Sequence, residues 1–348
     1  MKFLEEYETL FRNEDVFNYE FLPEKLPGRE TEIEEISLTI KPLVHNRTPS
    51  NLFISGPRGV GKTACVRFVF RQVEENTPIK TSFINCWEHS SSFSILQKVA
   101  IDIGIPIPRK GVSKDELISV MRNKIKNVKG VAVALDEVDK LEEQDILYQL
   151  TEFFGKKIAI VLITNHKEFL LDLEERIKSR LGLLHLEFNP YTKDQVEEIL
   201  RERIKIGLKP GAIDEKAFNL IVDACYKSED IRKGLFLILT AGRIAENKQR
   251  LKIKVEDVKE AIDKMKESFD VDTKKITNPE EKFILECIKK NPGKTSGEIF
   301  KYYKKNGGKL GERSYRKYIN HLIQLNLIEA KELNKGQRGR TRVLNPKC

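Results

Sequence analysis

Acidic residues are scarce at one end of this 348-residue chain. Residues 275–348 carry 7 Asp and Glu against 18 Lys and Arg, a net charge of +11. The whole chain is +9, so residues 1–274 balance at −2. The positive excess sits in the last 74 residues and points to a module that faces an acidic polymer such as nucleic acid. Cysteine is sparse too. Cys65, Cys86, Cys225, Cys287 and Cys348 are scattered, with no C-x-x-C pair. That spacing argues against zinc ribbons and disulfides, and fits a reducing compartment in which each cysteine is a small apolar side chain. No apolar run approaches the ~20 residues of a membrane span. The acidic first thirty residues have no apolar signal core. A cytoplasmic protein without a membrane partner is expected. Internal repeats and low-complexity segments are absent. With 40% hydrophobic and 33% charged residues, the length allows two or three globular domains.

Against these absences stands one dense motif. Gly56-Pro57-Arg58-Gly59-Val60-Gly61-Lys62-Thr63 fits the phosphate-loop pattern G-x-x-x-x-G-K-[ST] at every specified position. Leu52-Phe53-Ile54 reads as a buried strand feeding it, and a helix follows from Ala64. The glycines let successive N–H groups turn toward phosphate oxygens, and the helix N-terminus adds its dipole. In this pattern Lys62 reaches the β- and γ-phosphates and the Thr63 hydroxyl ligates Mg²⁺.

Residues 51 to 190 alternate apolar runs with helical patterns, which predicts an α/β fold with a parallel sheet. The strands are expected at Leu52–Ser55, Ser82–Cys86, Val131–Leu135, Ala159–Thr164 and Leu184–Phe188, covered on both faces. Residues 191–270 are helical in pattern, with apolar residues at helical spacing in Val196–Ile206, Phe218–Cys225, Leu235–Ala245 and Val258–Met265. Asp270 to Thr277 is polar and aperiodic and reads as a linker. A third domain, 275–348, follows.

The apolar run Val131–Leu135 ends in Asp136-Glu137. Asp136 is placed to hold the metal, directly or through water, and Glu137 to polarise an attacking water as general base. Ile160–Ile163 ends in Thr164-Asn165, where Asn165 can sense the γ-phosphate or position the water. In this order these residues resemble the AAA+ ATPase family, with an all-helical lid following. The resemblance implies an arginine finger that reaches a neighbouring subunit, for which Arg176 and Arg180 both qualify and Arg180 is favoured. It also implies a lid arginine at the γ-phosphate, which is Arg232 in Asp230-Ile231-Arg232.

The C-terminal module reads as a winged helix. Asn278-Pro279 opens one helix, the capping box Thr295-Ser296-Gly297-Glu298 a second, and Gly307-Gly308 ends it. A third helix, Glu312 to Leu325, buries Tyr315, Tyr318, Ile319, Leu322 and Ile323. Its other face carries Arg313, Ser314, Arg316, Lys317 and Asn320, donors suited to phosphates and base edges. Arg338, Arg340 and Arg342, with glycines between the first two and before them, form a wing suited to a minor groove or to phosphates.

Three further segments are similar to replication initiators. They are Leu26-Pro27-Gly28-Arg29-Glu30 before the phosphate loop, the basic stretch Ile105 to Gly111 with Arg109 and Lys110, and Phe188-Asn189-Pro190-Tyr191 leading into the lid. With the domain order, they make the chain resemble the archaeal origin-recognition initiators, relatives of the eukaryotic origin recognition complex and its helicase loader, from about Leu26 to Pro346. The resemblance implies that Tyr191 and Arg203 line the nucleotide pocket together with Gly56 to Ala64, Asp136 and Arg232. It implies weak ATP hydrolysis used as a switch, with ATP, ADP and Mg²⁺ as cofactors. It also implies binding to double-stranded origin DNA through the winged helix and Arg109–Lys110, other initiator subunits as partners, and recruitment of the replicative helicase. A nucleotide-gated transcriptional regulator and a clamp-loader-type subunit are the alternatives.

Overall fold

The computed structural model describes residues 8–107, 113–274, 278–324, 327–333 and 341–346. Backbone contacts divide the chain into two compact units, 1–258 and 259–348. Among the described residues no helix is long and apolar enough to cross a membrane.

The first unit opens with helix α1 (Glu30–Val44), then β1 (Asn51–Ser55), α2 (Lys62–Asn76), β2 (Lys80–Asn85), α3 (Ser92–Asp102) and α4 (Lys114–Ile125). It continues through β3 (Val131–Asp136), α5 (Asp145–Phe154), β4 (Ile158–Thr164), α6 (Phe169–Asp172), α7 (Glu175–Leu181) and β5 (Leu183–Glu187). The five strands form one parallel sheet in the order β2-β3-β4-β1-β5. Strands β3 and β4 are buried along their whole length. Alternation sends Phe53, Val133, Leu135, Ile160 and Leu162 to one face, where they join a core with α3, α4, α5 and α7. Leu52, Ile54, Ala132, Ala134 and Val161 go to the other face, against α1 and α2. Because every crossover is parallel, the C-terminal strand ends collect on one edge of the sheet. The phosphate loop, Asp136 and Asn165 all leave from that edge.

Two sequence expectations need correction. β5 is not covered on both faces. It is an edge strand, with Leu184 54% exposed and Leu186 its one buried residue. Asp270 to Lys274 does not form a linker, because the last lid helix runs through Lys274. Asp270–Lys274 contains no Gly or Pro, so nothing stops the helix from propagating once the apolar face has nucleated it.

The lid holds α8 (Lys193–Gly207), α9 (Glu215–Ser228), α10 (Ile231–Asn247) and α11 (Val255–Lys274). Thr192 and Gln195 form a reciprocal capping box that fixes the start of α8. Residues 8–21 lie across this lid. Leu10 N–H donates to Glu246 Oε1 at 2.8 Å, Arg12 N–H donates to the Gly207 carbonyl at 2.8 Å, and Val16 and Phe17 are buried.

The second unit contains α12 (Pro279–Lys290), β6 (Lys294–Thr295), α13 (Ser296–Lys305), α14 (Glu312–Gln324), β7 (Ile328–Leu333) and β8 (Thr341–Pro346). Three helices with a sheet of order β6-β8-β7 make it a winged helix. The expected caps are present: Asn278 accepts from Glu280 N–H, Pro279 sits in the first turn, and Thr295 and Glu298 form the capping box. Ile284, Ile288, Tyr303, Tyr315, Ile319 and Leu322 form its core.

Gly308 lies against the buried Tyr303 ring, and a Cβ there would collide with three ring atoms. The ring cannot retreat, because its hydroxyl donates to Glu280 and accepts from Leu310 N–H. Gly308→Ala is therefore expected to destabilise the winged helix by about 1–3 kcal/mol. Amide hydrogen exchange should rise in α12 and α13 while β3 and β4 stay protected. Unchanged exchange in α12 and α13 would refute the packing argument.

Candidate functional site

The loop between β1 and α2 forms the floor of a cavity of about 1410 Å³. Gly59 (φ +74) and Gly61 (φ +90) adopt the left-handed backbone that lets the loop curl. The space beside both is already taken. A side chain at 59 would strike the Asp230 carboxylate, and a Cβ at 61 would lie 2.6 Å from the Tyr191 hydroxyl. The loop is thus an open cradle of backbone with lid residues at its rim. Arg58, Gly59, Val60, Gly61, Lys62, Thr63 and Ala64 line the cavity. Gly56 and Pro57 stand behind it, where their carbonyls accept from Lys62 Nζ at 2.7 and 2.6 Å.

The predicted polar residues converge at one end of this cradle. Lys62 Nζ also donates to Asn165 Oδ1 at 2.8 Å. Asn165 Nδ2 donates to both Glu137 carboxylate oxygens, at 3.0 and 3.1 Å. Thr63 Oγ1 donates to Asp136 Oδ2 at 2.7 Å. Loop, acidic pair and asparagine thus form one hydrogen-bonded chain across three strand ends. Glu137 sits at φ 52, in the left-handed region, with its N–H donating to Asp136 Oδ1 at 3.0 Å. Strain of this kind, about 1–3 kcal/mol for a non-glycine residue, persists where surrounding contacts hold it.

Electrostatics follow burial. Burial lowers Lys62 to about 8, opposed by the charges of Asp136 and Glu137. Burial raises the Asp136 carboxyl, although the Thr63 hydrogen bond pulls the other way. The neighbours Cys65, Cys86 and Tyr191 are each pushed by burial to about 12 and stay neutral near physiological pH. Asp136 and the Thr63 hydroxyl present hard oxygen donors beside a phosphate cradle, which suits a magnesium nucleotide.

The lid closes the cavity. Asp230 caps α10, Ile231 N–H donates to the Gly59 carbonyl at 3.3 Å, and Arg232 pairs with Asp230 at 2.6 Å while facing the cavity. The Asp230 hydrogen bonds raise the Arg232 guanidinium pKa further. Tyr191 and Arg203 line the cavity wall. Arg203 is buried and donates to the carbonyls of Val16 and Phe21, at 3.2 and 3.3 Å, so it also ties down the N-terminal segment. Burial lowers its pKa to about 10.

Of the two finger candidates, neither lines the cavity of its own chain. Arg176 pairs with Asp145 and Glu174, whereas Arg180 is exposed on α7 over the Tyr148 ring and donates to Thr151 Oγ1 at 3.3 Å. In the winged helix, Arg313, Ser314, Arg316, Lys317 and Asn320 share the exposed face of α14. Tyr315, Ile319 and Leu322 are buried beneath them, and Tyr318 and Ile323 are half-buried. Arg316 pairs with Glu312 at 2.5 Å, and Arg342 Nη1 donates to Asn320 Oδ1 at 2.9 Å. Arg109, Lys110, Arg338 and Arg340 lie outside the described residues.

Sequence reasoning gave Arg29 no role of its own. It is 4% exposed and donates to the Val60 and Asn189 carbonyls. Its place in the segment before the phosphate loop was visible, but its partners, 31 and 160 residues away, were not.

A phosphate loop, an acidic pair and an asparagine on one sheet edge, roofed by a helical lid, define an AAA+ ATPase. The chain matches a family model described as an AAA domain over residues 45–170 and one described as a Cdc6 AAA+ ATPase-type lid domain over residues 197–263. It is 33% identical to ORC1-type DNA replication protein 1 of Archaeoglobus fulgidus, over 96% of this chain and 87% of that protein. It is 32% identical to the protein of the same name from Sulfolobus acidocaldarius, over 97% and 90%. Among solved structures it is similar to the Aeropyrum pernix ORC1 protein in complex with DNA, with 27% identity, TM-score 0.74 and coverage of 98% and 94%. The chain belongs to the ORC1-type DNA replication proteins, the archaeal counterpart of the origin-recognition and Cdc6 initiators.

Nucleotide phosphates favour a charged Lys62, whereas the lysine of the ligand-free protein loses its proton above about pH 8. ADP affinity is therefore expected to fall by about tenfold between pH 7 and pH 9. Isothermal titration at the two pH values measures it, and equal affinities would contradict the role of Lys62.

Proposed function

We propose that this protein is an ATP-switched replication initiator that binds double-stranded origin DNA and helps to load the replicative helicase. The observation that carries the reading is the hydrogen-bonded chain Lys62–Asn165–Glu137 beside Thr63–Asp136, in the same polypeptide as a winged helix with a cationic recognition face. In this reading residues 1–190 are the nucleotide core, 191–270 the lid and 275–348 the DNA module.

Lys62 and the loop amides hold the phosphates, while Tyr191 and Arg203 close the far wall. Thr63 and Asp136 would hold Mg²⁺, which supplies neutralisation of phosphate charge. Glu137 accepts a proton from the attacking water, and Asn165 fixes the Glu137 carboxylate through both oxygens. Arg232 adds positive charge from the lid, and Arg180 acts on a neighbouring subunit's site. A single chain therefore hydrolyses slowly, and bound nucleotide works as a switch more than as fuel. Arg313, Arg316 and Lys317 hold DNA phosphates, and Ser314 and Asn320 reach base edges. Arg338, Arg340 and Arg342 form the wing contact, and Arg109 and Lys110 a second contact. Other initiator subunits are its partners on DNA, in the cytoplasm beside the nucleoid.

Two measurements test this. Glu137→Gln should leave ATP binding intact while lowering turnover by at least about 10², and undiminished hydrolysis would remove Glu137 as the base. Replacing Arg313, Lys317 and Arg342 with Ala should weaken DNA binding and flatten its dependence on salt, by a slope of about 0.9 per lost phosphate contact. An unchanged slope would remove this face from the DNA interface. A nucleotide-gated regulator shares both results, but it would not retain the replicative helicase in a pull-down.

A further inference from the structure

We propose that Arg29 is a positioning residue that ties the Val60–Gly61 peptide of the phosphate loop to the lid joint at Asn189, so that loop and lid are set together. The proposal rests on reading the cavity as an ATP site.

Arg29 is a buried cation, 4% exposed, immediately before α1. Burying a guanidinium is costly unless every side of it is satisfied. Three separate segments satisfy this one. Nη1 pairs with Glu32 on its own helix. Nε donates to the Val60 carbonyl at 3.0 Å, inside the phosphate loop. Nη2 donates to the Asn189 carbonyl at 2.7 Å, one residue before Pro190, where the chain leaves the sheet for the lid. Its guanidinium carbon stands 3.9 Å from the centre of the Tyr191 ring and 5.1 Å from that of Phe188, which flank the same joint.

The geometry has a consequence for the cradle. The Val60 carbonyl and the Gly61 N–H belong to one planar peptide. Holding that carbonyl therefore fixes the direction of a cradle N–H. The same rigid fork holds Asn189, so a rotation of the lid about the joint either breaks that hydrogen bond or carries Arg29 and the loop peptide with it. Lysine cannot substitute, because a single ammonium lacks the planar fork that spans two carbonyls at fixed separation. Tyr191 completes the link, since it stacks on Arg29 while its hydroxyl occupies the space beside Gly61.

The test compares wild type, Arg29→Lys and Tyr191→Leu in the full chain. Spin labels at the exposed positions Leu38 on α1 and Tyr226 on α9 report the core–lid distance with and without Mg-ADP, and calorimetry reports ADP affinity. In wild type, ADP should shift and narrow the distance distribution. Arg29→Lys should lose that shift while ADP affinity falls by about tenfold, as expected for one charged hydrogen bond. A purely structural role would lower the melting temperature without uncoupling distance from nucleotide. If Arg29→Lys does not fold, Tyr191→Leu carries the test, because it leaves the charge of Arg29 paired and removes its stacking plane. Either variant retaining the wild-type shift overturns the proposal, as does a wild-type distance that bound ADP leaves unaltered. A wild type that binds no ADP overturns the ATP-site reading itself, a distinct result.

Discussion

The structure depends on one close contact, the seating of the lid on the backbone of the phosphate loop. Gly59 has no side chain, and Asp230 fills the space where one would be. The Ile231 N–H reaches the Gly59 carbonyl, and Asp230 holds Arg232 at the cavity edge. A bulkier residue at 59 would lift the lid, and with it the arginine. The loop glycines therefore serve twice: they let the backbone curl around phosphate, and they let a second subdomain approach that backbone.

From this contact the polar network extends inward. Lys62 is buried and its pKa is depressed, so its charge rests on carbonyls and on Asn165. Asn165 in turn restrains Glu137, whose backbone sits in a strained left-handed conformation. A group added to the cradle would compete for Lys62, whose partners are the Gly56 and Pro57 carbonyls after β1 and Asn165 after β4. Through Asn165 the network reaches Glu137 after β3, so it links three strand ends.

Much of this was legible in the sequence, for identifiable reasons. Strands β3 and β4 are continuously apolar, so their ends, and hence Asp136-Glu137 and Thr164-Asn165, could be placed within a residue. Helix α14 showed its period through Tyr315, Ile319 and Leu322. What escaped was long-range or unpatterned. Residues 8–21 dock on lid helices some 200 residues away through a few hydrogen bonds and the buried Leu10, Phe11, Val16 and Phe17, too short a stretch to show a periodicity. Arg29 reads as a surface charge until its two carbonyl partners are seen. Thr164 read as part of a sensor strand, yet it is buried and donates to Asp139 Oδ1 at 2.7 Å, anchoring the turn after Glu137. Helical periodicity placed Asn320 on the exposed face of the third helix and the hairpin pattern placed Arg342 in the wing, but neither could reveal that one holds the other.

The central claim is that a nucleotide-controlled core and a cationic winged helix act together at replication origins. Footprinting of the full-length protein on genomic DNA, with ATP and with ADP, tests it most directly. The account predicts protection clustered at a few origin-like repeated sites, with an extent that differs between the two nucleotides. Protection dispersed over promoters, or identical with both nucleotides, would contradict it.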